Sequence, residues 1–301
     1  MAITKLDQMF EVLKSRTKKR LVAAFANDEH TIVAVSEAID KGIVDGVLVG
    51  DEATIREVCR HEKIDAAKFR IVHEPDEVKA ATLSVKLINK GEGDLLMKGL
   101  VSTDKYMRAI LNKETGLMDP NAILTHVTVI ENPLYHKLLI VGDVAIIPLP
   151  DLKMKIAILN YLIKTAKALD ITKPKVAVIA ASEQMLASMP ACVDAAILSK
   201  MAERGQIKGA LVDGPLSLDV AIDQESADIK KIVGGVAGDA DCLLFPNIET
   251  GNVFYKTNTK LAGAELGAFV AGARVPCVLS SRGDSSLTKL YSIALAAIIA
   301  K

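Results

Sequence analysis

A short polar segment near the C-terminus, residues 280–286, carries the side chains best suited to chemistry. It follows an apolar run at 275–279 and precedes a helical pattern that begins at Leu287, so the order predicts a strand, a turn and a helix. The first backbone N–H groups of a helix lack partners and attract anions. Hydroxyl and guanidinium groups at such a turn indicate an anion site, and a carboxylate there could transfer a proton. The candidate catalytic residues are Ser281, Arg282 and Asp284.

The same segment also has a purely structural interpretation. Ser285 or Ser286 could simply cap the following helix. Asp284 could favour the helix dipole from the surface, and Arg282 could be solvated. The turn by itself does not separate this interpretation from a catalytic one.

Length and composition narrow the class of protein. Half of the 301 residues are hydrophobic, so the chain can bury a large core and is long enough for about two domains. No run approaches the roughly 18 apolar residues of a membrane span, and the N-terminus is charged rather than signal-like. We therefore expect a soluble protein with no membrane partner.

The charge balance and the aromatic content argue against nucleic-acid binding. Lys plus Arg equals Asp plus Glu at 37 each, and Trp is absent.

Cysteine and histidine spacing argue against disulfides and metals. The four cysteines are scattered without Cys-x-x-Cys spacing, a pattern typical of a reducing compartment, so we expect a cytoplasmic protein. The five histidines form no His-x-x-x-His or Glu-x-x-His pair. The sequence therefore predicts no metal site.

Short apolar runs alternate with longer helical patterns along most of the chain. The run at 46–50, for example, is followed by a helical pattern at 51–63, and this alternation predicts a parallel α/β architecture. The pattern at 252–271 predicts one helix. Asn132-Pro133 and the proline-spaced segment 147–150 interrupt the rhythm and are candidates for a crossover between domains.

Polar side chains collect where the predicted strands end. In open parallel sheets ligands bind beyond the carboxyl ends of the strands. Hydroxyl and cationic groups there suit phosphate and a pyrophosphate-bearing cofactor. The candidate binding residues are Lys98, Ser102, Thr103, Arg108, Thr125, Asp213 and Lys260.

Several of these residues have a structural alternative. Ser102 and Thr103 match a helix cap, although a cap can also bind phosphate. Arg108 could be a solvated helix residue. Asn252 and Lys256 are four residues apart and share a helix face, where Lys256 could be surface charge.

Ordered motifs along the chain resemble the phosphotransacylase family, most of all its phosphate butyryltransferase branch. The resemblance spans essentially the whole chain, and each motif alone would be weak. The motifs are Lys98-Gly99-Leu100-Val101-Ser102-Thr103 with Arg108, Leu124-Thr125-His126-Val127, Ser199-Lys200-Met201, Asp213-Gly214-Pro215-Leu216, Ala237-Gly238-Asp239-Ala240-Asp241, Asn247-Ile248-Glu249-Thr250-Gly251-Asn252 with Tyr255-Lys256, and Ser281-Arg282.

The resemblance implies a fold and a reaction. The expected fold is a two-domain, three-layer α/β/α structure of the isocitrate dehydrogenase-like group, with the active site in the cleft between domains, in a homodimer. The first domain would comprise residues 1–132 plus 276–301 and the second residues 133–275. The implied reaction is reversible: acyl-CoA and orthophosphate give acyl phosphate and CoA. CoA and acyl-CoA would be substrates, with no permanently bound cofactor and no metal.

The resemblance also assigns roles to individual residues. The family's catalytic serine and arginine match Ser281 and Arg282, and Arg108 matches a substrate-binding arginine. Lys260 stands near the place of another such arginine. Lysine at this position replaces the bidentate phosphate binding of arginine with a point charge. Asn252 and Lys256 lie within a family motif and join the candidate binding residues.

One departure from the family pattern concerns the general base. Acetyl-transferring relatives place a carboxylate seven residues beyond the serine, where this chain has Thr288. We hypothesise that Asp284, or a water that it holds, takes the proton of the CoA thiol. Two alternatives stay open: a phosphate acetyltransferase with a small acyl pocket, and a CoA-binding protein without catalysis, to which Thr288 lends some support.

Overall fold

The computed structural model describes residues 2–279 and 285–301. The chain forms two compact units. The N-terminal unit comprises Leu6–Leu124 and Gly267–Lys301, and the central unit comprises Met1–Lys5 and Thr125–Leu266. The C-terminal segment therefore returns to the N-terminal unit. The domain boundaries that the sequence suggested, after residues 132 and 275, stay a prediction.

Strands and helices alternate along the described chain. The strands are β1 (Lys19–Ala24), β2 (Val44–Gly50), β3 (Phe69–His73), β4 (Leu95–Lys98), β5 (Thr125–Glu131), β6 (Leu139–Gly142), β7 (Lys175–Ile179), β8 (Leu211–Leu216), β9 (Cys242–Leu244), β10 (Glu265–Ala271) and β11 (Cys277–Val278). The helices are α1 (Gln8–Lys14), α2 (Glu29–Asp40), α3 (Glu52–His61), α4 (Glu77–Asn89), α5 (Thr103–Leu111), α6 (Leu152–Ala168), α7 (Pro190–Glu203), α8 (Leu218–Ile222), α9 (Gln224–Ile229), α10 (Ile248–Lys260) and α11 (Ser286–Ile299). The α/β class predicted from the sequence is confirmed.

The sheet of the N-terminal unit has the order β3-β2-β1-β4-β11-β10. All neighbours in it are parallel except β10 and β11. The register pairs Ala24 with Lys98 and Val278 with Met97. The carboxyl ends of β1, β4 and β11 therefore meet at one edge, which is where ligands bind in such sheets.

The sheet of the central unit has the order β5-β6-β9-β7-β8. Strands β6, β9, β7 and β8 are parallel, whereas β5 runs antiparallel to β6. The amino end of β5, at Thr125, therefore lies at the same edge as the carboxyl ends of the other four strands. The edge that should bind ligands thus includes Thr125.

Aspartate and serine caps begin most of the longer helices. The side chains of Asp28, Asp51, Asp76 and Asp151 each accept a hydrogen bond from a backbone N–H in the first turn of the helix that follows. Helix α11 is buried over nearly its whole length and contacts α2 and α1. A helix that is buried along most of its length belongs in a core, so α11 anchors the C-terminal segment in the N-terminal unit.

Two predictions about the fold are wrong. The helix predicted over 252–271 ends at Lys260, and a strand begins at Glu265. Gly263 lies between them with a φ of +64°, a left-handed conformation that ends helices. The expectation of parallel strands also fails at two pairs, β5 with β6 and β10 with β11. Within the described residues, no helix is both long and apolar enough to cross a membrane.

Gly272 provides a test of the turn that follows β10. Its φ is +105°, and a Cβ there would lie 2.1 Å from the backbone oxygen of Ile123. We expect Gly272→Ala to lower the free energy of unfolding by about 3 kcal/mol or more, because strain and a backbone clash add. Gly263→Ala is the matched control, with positive φ but open space around it, and should cost about 1 kcal/mol. Equal urea midpoints for the two variants would contradict the clash.

Candidate active site

The predicted catalytic residues Ser281, Arg282 and Asp284 lie outside the described residues. The structure does describe both sides of that segment. Strand β11 ends at Val278, and the Ser285 hydroxyl accepts a hydrogen bond from the backbone N–H of Thr288 at 3.0 Å. Ser285 is therefore the cap of α11, as the structural interpretation of this turn predicted for Ser285 or Ser286. The Thr288 hydroxyl lies 3.0 Å from the Ser285 hydroxyl and belongs to the same cap.

Lys98 ends β4 and is 6% exposed. Its Nζ donates hydrogen bonds to the backbone oxygens of Gly99, at 3.1 Å, and Val101, at 2.9 Å. Charge-assisted hydrogen bonds of this kind are about twice as strong as neutral ones. Lys98 therefore holds the loop that leads to α5.

The start of α5 already has an anion from within the chain. Ser102 caps the helix, and its backbone N–H donates to Glu77 Oε1 at 2.6 Å. The other oxygen of Glu77 pairs with Lys105 Nζ. The hydrogen bond from Lys105, and then that from Ser102, lower the pKa of the Glu77 carboxyl. Sequence reasoning missed Glu77, because its position 25 residues before Ser102 gives no local signal.

Two further candidates of the N-terminal unit lie on the exposed surface of α5. Thr103 is the first residue of the helix and is exposed. Arg108 is 79% exposed in its side chain, and its Nε lies 2.9 Å from Asp104 Oδ2. An exposed pair four residues apart contributes only about 0.3–0.5 kcal/mol. An anion could therefore replace Asp104 as the partner of Arg108 at little cost.

In the central unit, Thr125 is buried against a carboxylate. Its hydroxyl donates to Asp143 Oδ2 at 2.8 Å, and the backbone N–H of His126 donates to the same oxygen at 3.0 Å. The other oxygen of Asp143 accepts from the N–H groups of Ala145, at 2.7 Å, and Ile146, at 2.8 Å. This cluster joins the start of β5 to the loop after β6.

Helix α10 packs against that loop. A Cβ at Gly251 would lie 2.2 Å from the backbone oxygen of Asp143, so only glycine fits there. The Asn252 amide donates to the backbone oxygen of Val144 at 3.1 Å. The structure therefore brings Asn252 to the loop that also holds Thr125.

The remaining candidates of the central unit are more dispersed. Lys256 is exposed on α10, with Nζ 4.7 Å from the centre of the Tyr255 ring, and Lys260 ends the same helix. Asp213 lies in β8, where its Oδ1 accepts from the N–H of Gly214 at 2.8 Å. Four strand spacings of about 4.8 Å separate β8 from β5, so Asp213 is about 19 Å from the strand of Thr125. The structure does not bring these two together.

In the described part of the chain, no group of three or more His, Cys, Asp or Glu side chains has the arrangement to hold a metal ion. All four cysteines are described, and all are buried free thiols.

A family model described as phosphate acetyl/butaryl transferase matches residues 5–81 and 71–297. The chain belongs to this family. It is therefore an acyltransferase, and the resemblance drawn from the motifs is confirmed.

Individual relatives agree with the family assignment. A phosphate butyryltransferase of Clostridium acetobutylicum is 45% identical over 298 residues, 99% of each chain. A phosphate acetyltransferase of Rhizobium meliloti is 39% identical over 99% of this chain and 94% of its own. The crystal structure of a branched-chain phosphotransacylase from Enterococcus faecalis V583 is 28% identical, with a TM-score of 0.82 over 94% of this chain and all of its own. The predicted phosphotransacylase fold is confirmed.

Glu77 provides a pH-dependent test of the α5 start. Its folded pKa is lowered, so its contribution is complete above the ordinary value of 4.5 and is lost as the pH falls below it. We expect Glu77→Gln to cost about 1 kcal/mol near pH 7 and less at pH 3, where more of the Glu77 carboxyl is protonated, as measured by urea unfolding at both pH values. Glu114→Gln, at an exposed position, is the control and should change neither value. A Glu77 effect that persists unchanged at pH 3 would refute the assignment.

Proposed function

We propose that this chain transfers a short-chain acyl group reversibly between CoA and orthophosphate, with butyryl-CoA among its substrates. The reaction is acyl-CoA plus phosphate giving acyl phosphate plus CoA. The observation that carries the proposal is the 45% identity to the Clostridium acetobutylicum phosphate butyryltransferase over 99% of both chains. The family match from residue 5 to residue 297 supports it.

The chemistry requires a thiolate and a stabilised oxyanion. Only the thiolate of CoA attacks a carbonyl well, so we assign Asp284, or a water that it holds, to accept the thiol proton. The tetrahedral intermediate places negative charge on the carbonyl oxygen, and we assign the Ser281 hydroxyl and the Arg282 guanidinium to stabilise it. No acyl-enzyme is needed, because both substrates can meet in one ternary complex.

We assign the phosphate to the candidates of the N-terminal unit, and we assign Thr125, whose hydroxyl donates to the buried Asp143 carboxylate, to positioning the loop after β6. Arg108 is exposed and its weak partner Asp104 is replaceable, so it can bind phosphate directly. Thr103 is exposed and can offer its hydroxyl, whereas the Ser102 N–H already donates to the Glu77 carboxylate, so we assign Ser102 and Lys98 to shaping the loop beside the phosphate. These contacts would orient phosphate for attack on the acyl carbon.

We assign the remaining candidates of the central unit to the CoA substrate. Lys256 and Lys260 are four residues apart on exposed turns of α10, where they can attract phosphate groups of CoA. Asn252 is fixed against the backbone of the loop after β6. Asp213 lies in β8, four strands from β5, so we propose that it contacts a part of CoA that is remote from the reacting carbon.

A phosphate acetyltransferase is the second candidate function. The 39% identity to the Rhizobium meliloti phosphate acetyltransferase favours it. A CoA-binding protein without catalysis is the third, because Thr288 stands where acetyl-transferring relatives have a carboxylate and takes part in the α11 cap. The preferred acyl chain separates the butyryltransferase from the acetyltransferase, and phosphate-dependent turnover separates both from the binding protein.

We also propose that the protein is a cytoplasmic homodimer. The four free, buried thiols support a reducing compartment. The homodimer is what the resemblance to the phosphotransacylase family implies.

The activity is tested by thiol release. We expect butyryl-CoA to release free CoA thiol only when orthophosphate is added, because the acyl group passes to phosphate. We also expect a higher kcat/KM for butyryl-CoA than for acetyl-CoA, because of the 45% identity to a phosphate butyryltransferase. Thiol absorbance with and without phosphate is the measurement. Higher kcat/KM for acetyl-CoA would favour the acetyltransferase, and no phosphate-dependent release from either would favour the binding protein.

The role of Ser281 is tested by removing its hydroxyl. We expect Ser281→Ala to lower kcat about a hundredfold or more, because loss of one oxyanion donor costs roughly 3–4 kcal/mol. Ser285→Ala is the matched control: it loses only the α11 cap, which lowers stability by about 1 kcal/mol and leaves kcat within a few fold. Turnover of Ser281→Ala close to that of the control would remove Ser281 from the mechanism.

A further inference from the structure

The central unit contains a cavity of about 500 Å³ that none of the candidate residues above lines. This volume lies within the range of small-molecule sites, about 300–1,000 Å³. The cavity opens at the edge where the parallel strands of the central unit end. Its lining residues are Leu149, Lys155, Ile179, Ala180, Ala181, Met189, Pro190, Ala191, Leu218, Pro246, Asn247 and Thr250.

The cavity wall is mainly apolar. The last residue of β7, Ile179, and Ala180 line it at 5% and 6% exposure. The first turn of α7 contributes Ala191 and the first residue of α8 is Leu218. Leu149 is 77% exposed and lies at the rim. An apolar wall at a strand-end edge fits a hydrocarbon ligand.

The polar groups of the wall already have partners inside the protein. Lys155 is 6% exposed in its side chain, and its Nζ lies 2.6 Å from Asp194 Oδ2, so its charge is neutralised. Asn247 Oδ1 accepts from the backbone N–H of Thr250 at 3.0 Å and from its hydroxyl at 2.7 Å. A phosphate in this cavity would meet no uncompensated cation, which argues against an anion site.

Helix α10 connects the cavity to the Thr125 cluster. Asn247 and Thr250, at its start, line the cavity. The next residues, Gly251 and Asn252, pack on the loop that carries Asp143. The first turns of α10 therefore join the cavity wall to the loop that accepts the Thr125 hydrogen bond, in the same unit.

We propose that this cavity binds the aliphatic chain of the acyl-CoA substrate and that Ala191 and Leu218 set the chain-length preference. The proposal rests on the proposed function. If each carbon of the acyl chain occupies as much space as a water molecule in the liquid, about 30 Å³, the four carbons of a butyryl group fill about 120 Å³. The cavity is larger than that, and we infer that hexanoyl-CoA is also a substrate.

The experiment changes the cavity volume in both directions. Ala191→Phe fills it, and we expect the ratio of kcat/KM for hexanoyl-CoA to that for acetyl-CoA to fall at least tenfold, in line with the discrimination that one or two methylenes provide. Leu218→Ala enlarges it and should raise the ratio severalfold. Ala196→Phe, on α7 but outside the lining, is the matched control and should leave the ratio unchanged. Orthophosphate-dependent thiol release supplies the rates, and thermal unfolding checks that each variant folds.

The outcomes separate the cavity from the reaction. An unchanged ratio in folded Ala191→Phe and Leu218→Ala, or an unmodified protein that turns over butyryl-CoA but not hexanoyl-CoA, would overturn the assignment of the cavity. If Ala191→Phe does not fold, Leu218→Ala decides alone. Hexanoyl-CoA should also raise the melting temperature of the unmodified protein and not that of Ala191→Phe. If this binding difference appears without any thiol release, the cavity assignment stands and the proposed reaction fails.

Discussion

The interaction on which the central unit's candidate site depends is the Asp143 carboxylate. It is 3% exposed and accepts four hydrogen bonds, one from the Thr125 hydroxyl and three from backbone N–H groups. Leaving buried donors unsatisfied costs about 1–3 kcal/mol for each, so this carboxylate fixes where β5 starts and how the chain leaves β6. Helix α10 then packs on the same loop at Gly251, and this contact positions Asn252.

The N-terminal unit uses charges in the same way. Lys98 donates to the carbonyl oxygens of the loop before α5, and Glu77 accepts the N–H of Ser102, the residue that precedes that helix. Lys98 is buried and Glu77 is partly buried, and both are paired within the protein, so these side chains shape the loop whether or not a substrate is present. The exposed Arg108 differs from them, since only a weak surface pair must break before it can bind an anion. Lower exposure thus separates the charges that hold this loop from the exposed Arg108.

The fold was largely predictable because its signals are local. Apolar runs such as the one at 46–50 need both faces covered, and Asp caps mark where helices such as α2 and α4 begin. The error at 265–271 has a physical cause: Leu266 to Ala271 are almost all buried, and a fully buried strand has no alternation that distinguishes it from a buried helix. The direction of β5 and β10 could not be predicted from the sequence either, because strand pairing depends on residues distant in the chain.

The sequence by itself determined the α/β class, the family and the list of residue types that could handle an acyl group and phosphate. These follow from local pattern and from motifs, which do not depend on where the chain goes between them. The tertiary structure decided which candidates share surroundings: Thr125 and Asn252 meet at the Asp143 loop, whereas Asp213 lies four strands from β5. It also decided that Glu77 accepts the Ser102 N–H before α5 and that an apolar cavity opens beside α10. Such features arise from contacts between residues far apart in sequence, which hydrogen bonding and burial select only once the chain has folded.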